Sequence, residues 1–401
     1  MIMAGRLYNE GKQIQMNNYE YHVPTDIRFG RGQISCLSDE IGKYGKRVLL
    51  VYGGGSIKKS GLYDKVYEVL KDFEIHELPG IEPNPKLTSV RKGAQLCKEY
   101  EIDAILAVGG GSTIDASKHI ACAAFYDGDP WDLVLDRSLV TKALPIYTVL
   151  TISATGSEMN PGAVISNEET KEKLEINHPL LYPTLSVCDP TYQFTLPARQ
   201  TAAGCVDIFS HILEQYFQPN DAAFITDRLS EAALKTCIRY APVALSEPED
   251  YEARSNLMWT GSIALNHLFT FGKGGAWSVH PIEHELSAYY DITHGVGLAI
   301  LTPAWMNYVL SDVTAARFAM YARNVWGIEE EDDLAAAKAG ILETSRFFVS
   351  LGMPSGLSEV GIDDALLGEM AAEAVRTSGL STRAYVKLDT SDVETIYRNC
   401  L

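Results

Sequence analysis

Short apolar runs alternate with helical patterns along the first half of the chain. Residues 47–52 are rich in strand-forming side chains and end at Gly53-Gly54-Gly55, and a helical pattern follows over 60–71. The same succession of strand, triple glycine and helix returns at 103–124. A third apolar run, 146–150, ends in a cluster of threonine, serine and glycine. Strands that alternate with helices predict a parallel sheet covered by helices on both faces.

The pattern changes after Leu196. Pro197 precedes a series of long helical patterns, and few strand signals interrupt them. A chain of 401 residues also exceeds the size at which one hydrophobic core keeps growing, which favours two domains. We therefore predict an α/β domain over residues 1–195 and an all-α domain over 196–401. The helical patterns behind this prediction are 198–216, 225–240, 251–267, 315–325 and the stretch from 334 to the C-terminus.

Both glycine triplets stand where a phosphate group can bind. Glycine lets the backbone approach a ligand closely, and a helix N-terminus offers free N–H groups and a favourable dipole. The second triplet precedes Ser112-Thr113-Ile114-Asp115, a spacing that predicts a capping box with Ser112 as the N-cap. Ile114 stands where the common dinucleotide fingerprint has its third glycine. A tight turn without a ligand, in which Asp115 is only a cap, is the alternative.

The first triplet bears on the choice of coenzyme. An acidic residue after this strand typically holds the ribose of NAD, whereas its absence accommodates the 2′-phosphate of NADP. The turn from Gly53 to Ser56 contains no carboxylate, and Lys58 and Lys59 follow it. The turn therefore favours NADP, unless both lysines simply lie on a solvated helix face.

Two stretches carry side chains suited to a metal ion. Asp207 and His211 lie four residues apart, as do His280 and His284, so each pair shares one face of a helix. His294 follows ten residues after the second pair. A carboxylate with several neutral imidazoles suits Zn²⁺ or Fe²⁺. Spacing does not bring the two stretches together, however, and a lone histidine on a helix is more often a hydrogen-bonded core or surface residue.

Composition excludes some classes of function. The net charge of −18 and the pI near 4.9 disfavour nucleic acid as a partner. The chain has no uninterrupted apolar run of roughly 18 residues, so we expect no membrane-spanning helix. The seven cysteines form no Cys-x-x-Cys pair, which is typical of reduced thiols and predicts a cytoplasmic protein. No signal peptide is expected, and two alternatives stay open for residues 1–15: a native N-terminus, or an extension before a start at Met16.

Further motifs make the whole chain recognisable. They are Phe29-Gly30-Arg31-Gly32, Tyr52-Gly53-Gly54-Gly55-Ser56, Gly80-Ile81-Glu82-Pro83-Asn84-Pro85, Gly109 to Asp115, Thr155-Gly156-Ser157-Glu158, Asp189-Pro190 and Leu196-Pro197-Ala198-Arg199-Gln200. Together with the histidine stretches, they resemble the iron-containing (group III) alcohol dehydrogenases. Within that family the likeness is to the branch of NADPH-dependent butanol dehydrogenases and aldehyde reductases. It runs from about Asn17 nearly to the C-terminus.

The resemblance implies a specific site. It implies a dinucleotide-binding α/β domain, an all-α metal-binding domain, and an active site in the cleft between them. One divalent ion, Fe²⁺ or Zn²⁺, would be held by Asp207, His211, His280 and His294, and His284 would line the site as a proton relay. The residues implied to bind NADP(H) are Gly54, Gly55, Ser56, Asn84, Gly110, Gly111, Ser112, Asp115, Thr151, Thr155, Asn160 and Lys173.

The implied coenzyme residues divide by the part of the dinucleotide they meet. The first triplet matches the adenosine-phosphate end, Asn84 a position near the adenosine ribose, and the second triplet the pyrophosphate. Asp115 matches a position nearer the nicotinamide. Lys173 is aligned through Lys171-Glu172-Lys173-Leu174, where a shift by two residues would select Lys171 instead.

The resemblance therefore implies a metal-dependent NADP(H) alcohol dehydrogenase or aldehyde reductase for small, butanol-like primary alcohols and aldehydes. It also implies a homodimer, while the charge and the lack of a long apolar run predict no nucleic acid or membrane partner. Butanal, other short aldehydes, methylglyoxal-like compounds and diols all remain open as substrates. A glycerol dehydrogenase usually has fewer histidine ligands, and a dehydroquinate synthase-like lyase would need a basic pocket that this helical half does not display. A non-catalytic dinucleotide sensor would leave four suitable ligands unexplained.

Overall fold

The computed structural model describes residues 15–220 and 222–401. Whether residues 1–15 are an extension is a question that lies almost entirely outside the described residues, since 1–14 are not among them.

Eight strands lie between residues 26 and 188 of the described chain. Six of them form one sheet in the order β1-β8-β5-β4-β2-β3, and every neighbouring pair is parallel. The other two, β6 and β7, pair antiparallel in a separate hairpin. The strands are β1 Asp26–Phe29, β2 Arg47–Tyr52, β3 Glu74–Pro79, β4 Ala104–Gly109, β5 Ile146–Leu150, β6 Gly162–Asn167, β7 Glu172–Asn177 and β8 Leu185–Cys188.

Fifteen α-helices complete the described chain, and none of them combines the length and apolar character required to cross a bilayer. They are α1 Leu37–Ile41, α2 Ser56–Lys59, α3 Leu62–Val69, α4 Leu87–Glu99, α5 Gly111–Ala123, α6 Asp132–Leu135, α7 Ala198–Tyr216, α8 Phe224–Ser246, α9 Tyr251–Ala264, α10 Val279–Tyr290, α11 His294–Val309, α12 Ala315–Tyr321, α13 Asp333–Ser350, α14 Leu367–Thr377 and α15 Thr390–Arg398.

Helices cover both faces of the large sheet. Leu50 of β2 belongs to a buried cluster with Val66 of α3. Its neighbour Leu49 belongs to a different buried cluster, with Val90 of α4 and Ile120 of α5. Because successive strand residues point to opposite faces, the two clusters are the two hydrophobic layers of a doubly covered sheet. The parallel sheet with flanking helices, followed by a helical second half, confirms the predicted fold class.

Several predicted elements have the observed bounds, namely β2, β5 and α7. Helix α7 begins directly after Pro197, whose fixed φ suits the entry to a helix. Helix α8 continues to Ser246 although the predicted helix ended at Tyr240, and Pro242 lies within its last turns. The predicted helix stopped early because proline removes one helical hydrogen bond, whereas in the structure the exposed Pro242 is accommodated near the end of a 23-residue helix.

The described chain divides into two compact units. The sheet unit comprises residues 22–208 and 243–266, and it holds all eight strands together with α9. The helical unit comprises the described residues 15–21, 209–220, 222–242 and 267–401, and it contains α10 to α15. The domain limits 1–195 and 196–401 remain a prediction, because the chain passes between these units more than once.

Candidate functional site

The carboxyl ends of β2 and β4 form the switch point of the large sheet. The helices after β2 lead outward to β3, whereas α5 after β4 leads to β5 on the opposite side. In open parallel sheets, ligands bind in the crevice where the strand order reverses in this way. The two glycine triplets follow these two strands. Their turns are also close, since a Cβ on Gly53 would lie 3.9 Å from Oγ1 of Thr113.

The first turn leaves open space around its backbone. A Cβ placed on Gly54 or on Gly55 would meet no heavy atom within 4 Å. Gly55 also has a φ of 96° and precedes α2 as its N-cap, a conformation that L side chains rarely adopt. The exposed Ser56 is the first residue of α2. The structure therefore leaves room beside the turn into which a ligand can fit.

The second turn is packed more tightly. A Cβ on Gly110 would lie 2.2 Å from Cγ2 of Ile152, and one on Gly111 would lie 2.3 Å from Oγ1 of Thr155. Any larger residue at these two positions would collide with the side chains of Ile152 and Thr155, so glycine is required here whether or not a phosphate is bound. The first turn of α5 carries no acidic residue, which leaves its N-terminal dipole available for an anion.

The predicted capping box at this turn was wrong. Gly110 is the N-cap of α5 and no side chain caps it, so Ser112 lies inside the helix. The carboxylate of Asp115 points into the protein, where it accepts hydrogen bonds from the Ser157 hydroxyl and, at 3.0 Å, from the Val164 amide. These two hydrogen bonds stabilise the buried carboxylate, so it is engaged inside the protein instead of capping the helix.

A buried lysine shares this network. Lys118 Nζ donates to Ser157 Oγ at 2.8 Å, to Asn160 Oδ1 at 3.1 Å and to the Gly162 carbonyl at 2.7 Å. Burial lowers the pKa of Lys118 to about 8 and raises the pKa of Asp115. Sequence reasoning missed Lys118, although it follows Asp115 by three residues and therefore shares its helix face.

The remaining coenzyme candidates after β5 lie around the same turns. The amide of Thr151 donates to the Gly109 carbonyl at 3.0 Å, which joins the ends of β4 and β5. Thr155 Oγ1 accepts from the Ser157 amide at 3.2 Å. Asn160 donates from Nδ2 to the Gly156 carbonyl at 2.9 Å, so its amide holds the turn that carries Thr155. Their contacts with a coenzyme remain predictions.

Asn84 and Lys173 come together although they are far apart in sequence. Both are buried, and Lys173 Nζ donates to Asn84 Oδ1 at 3.0 Å. Asn84 has a φ of 53°, and Lys86, two residues later, forms an isolated β-bridge with Ser166 of β6. Two residues implied separately by the resemblance thus form one polar pair. This favours Lys173 over Lys171, which is exposed.

Helix α7 carries the first pair of proposed metal ligands. It begins in the sheet unit and belongs to the helical unit from Phe209 onward. Asp207 and His211 lie one turn apart on it, and both are at least 95% buried. The structure therefore places carboxylate and imidazole on one buried face, as their spacing predicted.

The other histidines gather around this face. The ring of His280 stacks on that of His211, with centroids 4.7 Å apart, and lies 5.2 Å from that of His294. Asp207, His280 and His294 each offer a ligand atom, and these atoms all lie within 4.8 Å of one another. His284 is half-buried, and its ring centroid lies 5.6 Å from that of His294. The structure thus brings all five residues together.

Two buried carboxylates contact the histidines. One oxygen of Glu214 accepts hydrogen bonds from the amides of Val279 and His280 at 2.6 and 2.7 Å, and lies 3.1 Å from His280 Nδ1. Its other oxygen accepts from the Ser278 amide at 2.7 Å. Glu214 therefore fixes both the start of α10 and the ring of His280. A carboxylate of Glu283 similarly contacts His294 Nδ1.

This donor set fits a divalent cation. An ionised carboxylate only accepts hydrogen bonds, so Nδ1 of His280 and of His294 carries the proton and Nε2 remains as a lone-pair donor. Histidine ligands held by carboxylates at the other ring nitrogen are the usual arrangement around protein-bound metals. With one aspartate oxygen, these nitrogens form the mixed N and O set that Zn²⁺ and Fe²⁺ accept.

Comparisons with known proteins identify the family of this chain. A family model described as iron-containing alcohol dehydrogenase matches residues 24–190, and one for the C-terminal part of the Fe-containing alcohol dehydrogenase family matches 201–401. Over 386 residues the chain is 52% identical to NADH-dependent butanol dehydrogenase A of Clostridium acetobutylicum, covering 96% of this chain and 99% of that protein. Over 351 residues it is 43% identical to the NADPH-dependent aldehyde reductase YqhD of Escherichia coli, covering 87% and 90%.

A solved structure is similar over nearly the whole length. The crystal structure of NADH-dependent butanol dehydrogenase A from Thermotoga maritima superposes with a TM-score of 0.92 at 41% sequence identity. The match covers 97% of this chain and 100% of that one.

Proposed function

The chain belongs to the iron-containing alcohol dehydrogenase family, and from this membership we propose that it uses a divalent metal and NADP(H) to act on small, butanol-like primary alcohols and aldehydes. It is an oxidoreductase that interconverts alcohols and aldehydes. The observation that carries the metal-dependent proposal is the convergence of Asp207, His280 and His294, whose ligand atoms lie within 4.8 Å of one another.

The proposed ligands are Asp207, His211, His280 and His294. A divalent cation held by them would supply Lewis acidity toward the oxygen of the alcohol or carbonyl group. The chain's own contribution is to hold the donor atoms ready: Glu214 fixes the His280 ring, and the continuous helix α7 fixes Asp207 relative to His211. Such preorganisation avoids rearrangement during the reaction.

The coenzyme is proposed to bind at the two glycine turns. A bound nicotinamide would donate or accept the hydride. We assign the adenosine end to Gly54, Gly55 and Ser56, the ribose to Asn84, and the pyrophosphate to the N-terminus of α5 through Gly110, Gly111 and Ser112. Asp115, Thr151, Thr155, Asn160 and Lys173 are assigned to the remaining contacts.

NADP(H) is proposed over NAD(H) because of the charges around the first turn. No carboxylate lies in the turn, and Lys58 and the exposed Lys59 follow it. Lys58 Nζ lies 4.5 Å from the centroid of the Tyr63 ring, and hydrogen bonding with Tyr52 raises its pKa, so it stays protonated at neutral pH. The names of the relatives include both coenzymes, so the proposal rests on the residues of this chain.

His284 is proposed to move the proton. It is half-buried one helical turn from His280, so it is both close to the proposed ligands and in contact with solvent. Histidine is the side chain that exchanges protons near neutral pH. Alcohol oxidation releases one proton besides the hydride, and aldehyde reduction consumes one, so a relay at this position serves both directions.

We expect His284→Asn to lower turnover by about a hundredfold, because general acid–base groups contribute on this scale. The variant should also alter the dependence of turnover on pH, because the side chain proposed to exchange the proton is removed. Steady-state kinetics at several pH values, together with metal analysis of the same preparation, measure both effects. A loss of bound metal in this variant would make His284 a ligand instead.

The proposed function as a whole is tested with protein purified without oxygen. Metal content should reach about one Fe²⁺ or Zn²⁺ per chain, and NADPH absorbance should fall when butanal is added. A screen of short aldehydes, 2-oxoaldehydes and diols with both coenzymes would then define the substrate. Full activity in protein stripped of metal would contradict the proposal.

A homodimer in the cytoplasm is proposed as the working form. No disulfide joins the seven cysteines, and six of them are buried, which agrees with a reducing compartment. Sedimentation equilibrium would give the mass of the assembly, and fractionation of the source cells would give its location.

A further inference from the structure

Glu283 is an ionisable side chain buried without any exposure. It lies on α10, and its side chain is 0% exposed. One carboxylate oxygen contacts Nδ1 of His294, and the other accepts a hydrogen bond from the Ser287 hydroxyl at 2.6 Å. Burying a carboxylate is costly unless its oxygens are bonded, and both oxygens of Glu283 are.

Gly297 leaves the space that Glu283 occupies. It lies on α11, one turn after His294, and a Cβ at this position would lie 2.7 Å from Cγ and 2.8 Å from Oε1 of Glu283. Gly297 does not have a positive φ, so its backbone conformation does not require glycine. The closeness of the Glu283 side chain does require it. Glycine inside a helix is less favourable than alanine, so this position gives up helix stability to admit the carboxylate.

The His294 ring needs such a partner. His294 is the first residue of α11. Its side chain is 21% exposed, which makes it the most exposed of the four proposed ligands. The turn before it contains Asp291 in a left-handed conformation. A side chain at the start of a helix packs against fewer neighbours than one in its middle. Nδ1 bonded to Glu283 leaves Nε2 as the nitrogen available to a cation.

We propose that Glu283 is a positioning residue that holds the His294 imidazole in its ligating orientation and thereby sets how tightly the site binds a divalent cation. This inference rests on the proposed metal-dependent function. It gives His294 the same support that Glu214 gives His280, so each of these two ligands has its own buried carboxylate. Removing such a partner typically weakens metal binding by about 10- to 100-fold.

Glu283 also lies near enough to His284 and His294 to serve as a ligand itself, since these three form a second group of close donor atoms. The contacts favour the positioning role. One oxygen faces Nδ1 of His294, which is the nitrogen opposite to the one left for a cation, and the other faces Ser287. A ligand role predicts that replacing Glu283 alters the absorption bands of bound Co²⁺, whereas a positioning role predicts that the bands stay unchanged.

The experiment measures metal affinity in the full chain after removal of metal, by competition between the protein and a chelating dye for Zn²⁺ and Co²⁺. We expect Glu283→Gln, which keeps the shape but loses the charge, to raise the dissociation constant about tenfold, and Glu283→Ala about a hundredfold. Gly297→Ala should act in the same direction with the carboxylate still present, because the added Cβ displaces it.

The double variant Glu283→Ala/Gly297→Ala gives a sharper test. Once the carboxylate is gone, the added Cβ has nothing to displace, so the second change should add little to the first. Glu285→Gln is the matched control. Glu285 is also a buried carboxylate on α10, but it lies two positions after Glu283 and therefore on another face of the helix. Its metal affinity should equal that of the unchanged protein.

The outcomes separate the two proposals. An unchanged dissociation constant in Glu283→Gln and Glu283→Ala, with only the melting temperature lowered, would overturn the positioning role. Altered Co²⁺ absorption bands in Glu283→Gln would overturn it too, because they would make Glu283 a ligand. Unchanged bands with weaker binding would support it. If the unchanged protein bound neither metal, the metal-dependent function would fall together with this inference.

Discussion

Asp207→Ala and His280→Ala are each expected to reduce turnover by about a thousandfold or more, because a Lewis acid contributes several kcal/mol to such reactions and each 1.36 kcal/mol is a factor of ten. The amount of metal bound per chain should fall together with turnover. Both residues are buried and belong to the group whose ligand atoms lie within 4.8 Å of one another. Removing either leaves too few ligands to hold a cation tightly.

Coenzyme binding should survive in both variants. The residues assigned to the dinucleotide follow β2, β3, β4 and β5 or, for Lys173, lie on β7, whereas Asp207 and His280 lie on α7 and α10. The change in intrinsic fluorescence on titration with NADPH measures this independently of turnover. His76→Ala is a suitable control, because His76 lies on the edge strand β3 and stacks on Tyr100. Normal metal content in Asp207→Ala or His280→Ala would remove these residues from the ligand set.

The order of strands and helices could be predicted largely because apolar runs mark the buried strands. β2 and β5 have nearly every residue buried, so each appears as a continuous apolar run. β1 has none buried and carries two charged residues among its four, Asp26 and Arg28, so nothing in its sequence distinguishes it from a loop. Its place comes from pairing with β8, more than 150 residues away, which no local pattern contains.

The proposed metal ligands could be predicted from the sequence, but the carboxylates that contact them could not. Two pairs at helical spacing identified Asp207, His211, His280 and His284, because an i,i+4 pair shares a face in any helix. Glu214 and Glu283 went unnoticed. Glu214 acts across 66 residues on the start of another helix, and Glu283 was one of many glutamates in an acidic chain. A carboxylate becomes recognisable as a histidine partner only when tertiary structure shows it buried.

The two glycine triplets look alike in sequence and differ in structure. Gly110 and Gly111 are fixed by the side chains of Ile152 and Thr155, whereas Gly54 has open space around it. The same residue type thus meets a packing requirement in one turn and leaves room for a ligand in the other. A pattern of residues cannot separate these cases, because the atoms that fill or leave the space come from distant parts of the chain.

That open space makes Gly54→Asp an incisive test of the coenzyme. The unchanged protein is expected to prefer NADPH, and the variant is expected to reverse this, with a change of about a hundredfold in the ratio of kcat/KM for NADPH to that for NADH. Like charges placed side by side cost a few kcal/mol, and each 1.4 kcal/mol is a factor of ten. Gly54 lacks a positive φ and has no atom within 4 Å of a new Cβ, so the substitution should leave the fold intact.

Gly54→Asn separates charge from size in this test. Asparagine has the shape of aspartate without its charge, so it should weaken NADPH binding far less and leave NADH almost unaffected. If both variants lowered activity with the two coenzymes equally, the turn would contact the dinucleotide without facing the 2′-phosphate. If the unchanged protein preferred NADH, the glycine turn would have room for the phosphate without binding it. Discrimination would then have to come from a carboxylate outside the turn, and Glu77, which accepts hydrogen bonds from Tyr52 and Tyr63, would be the first residue to replace.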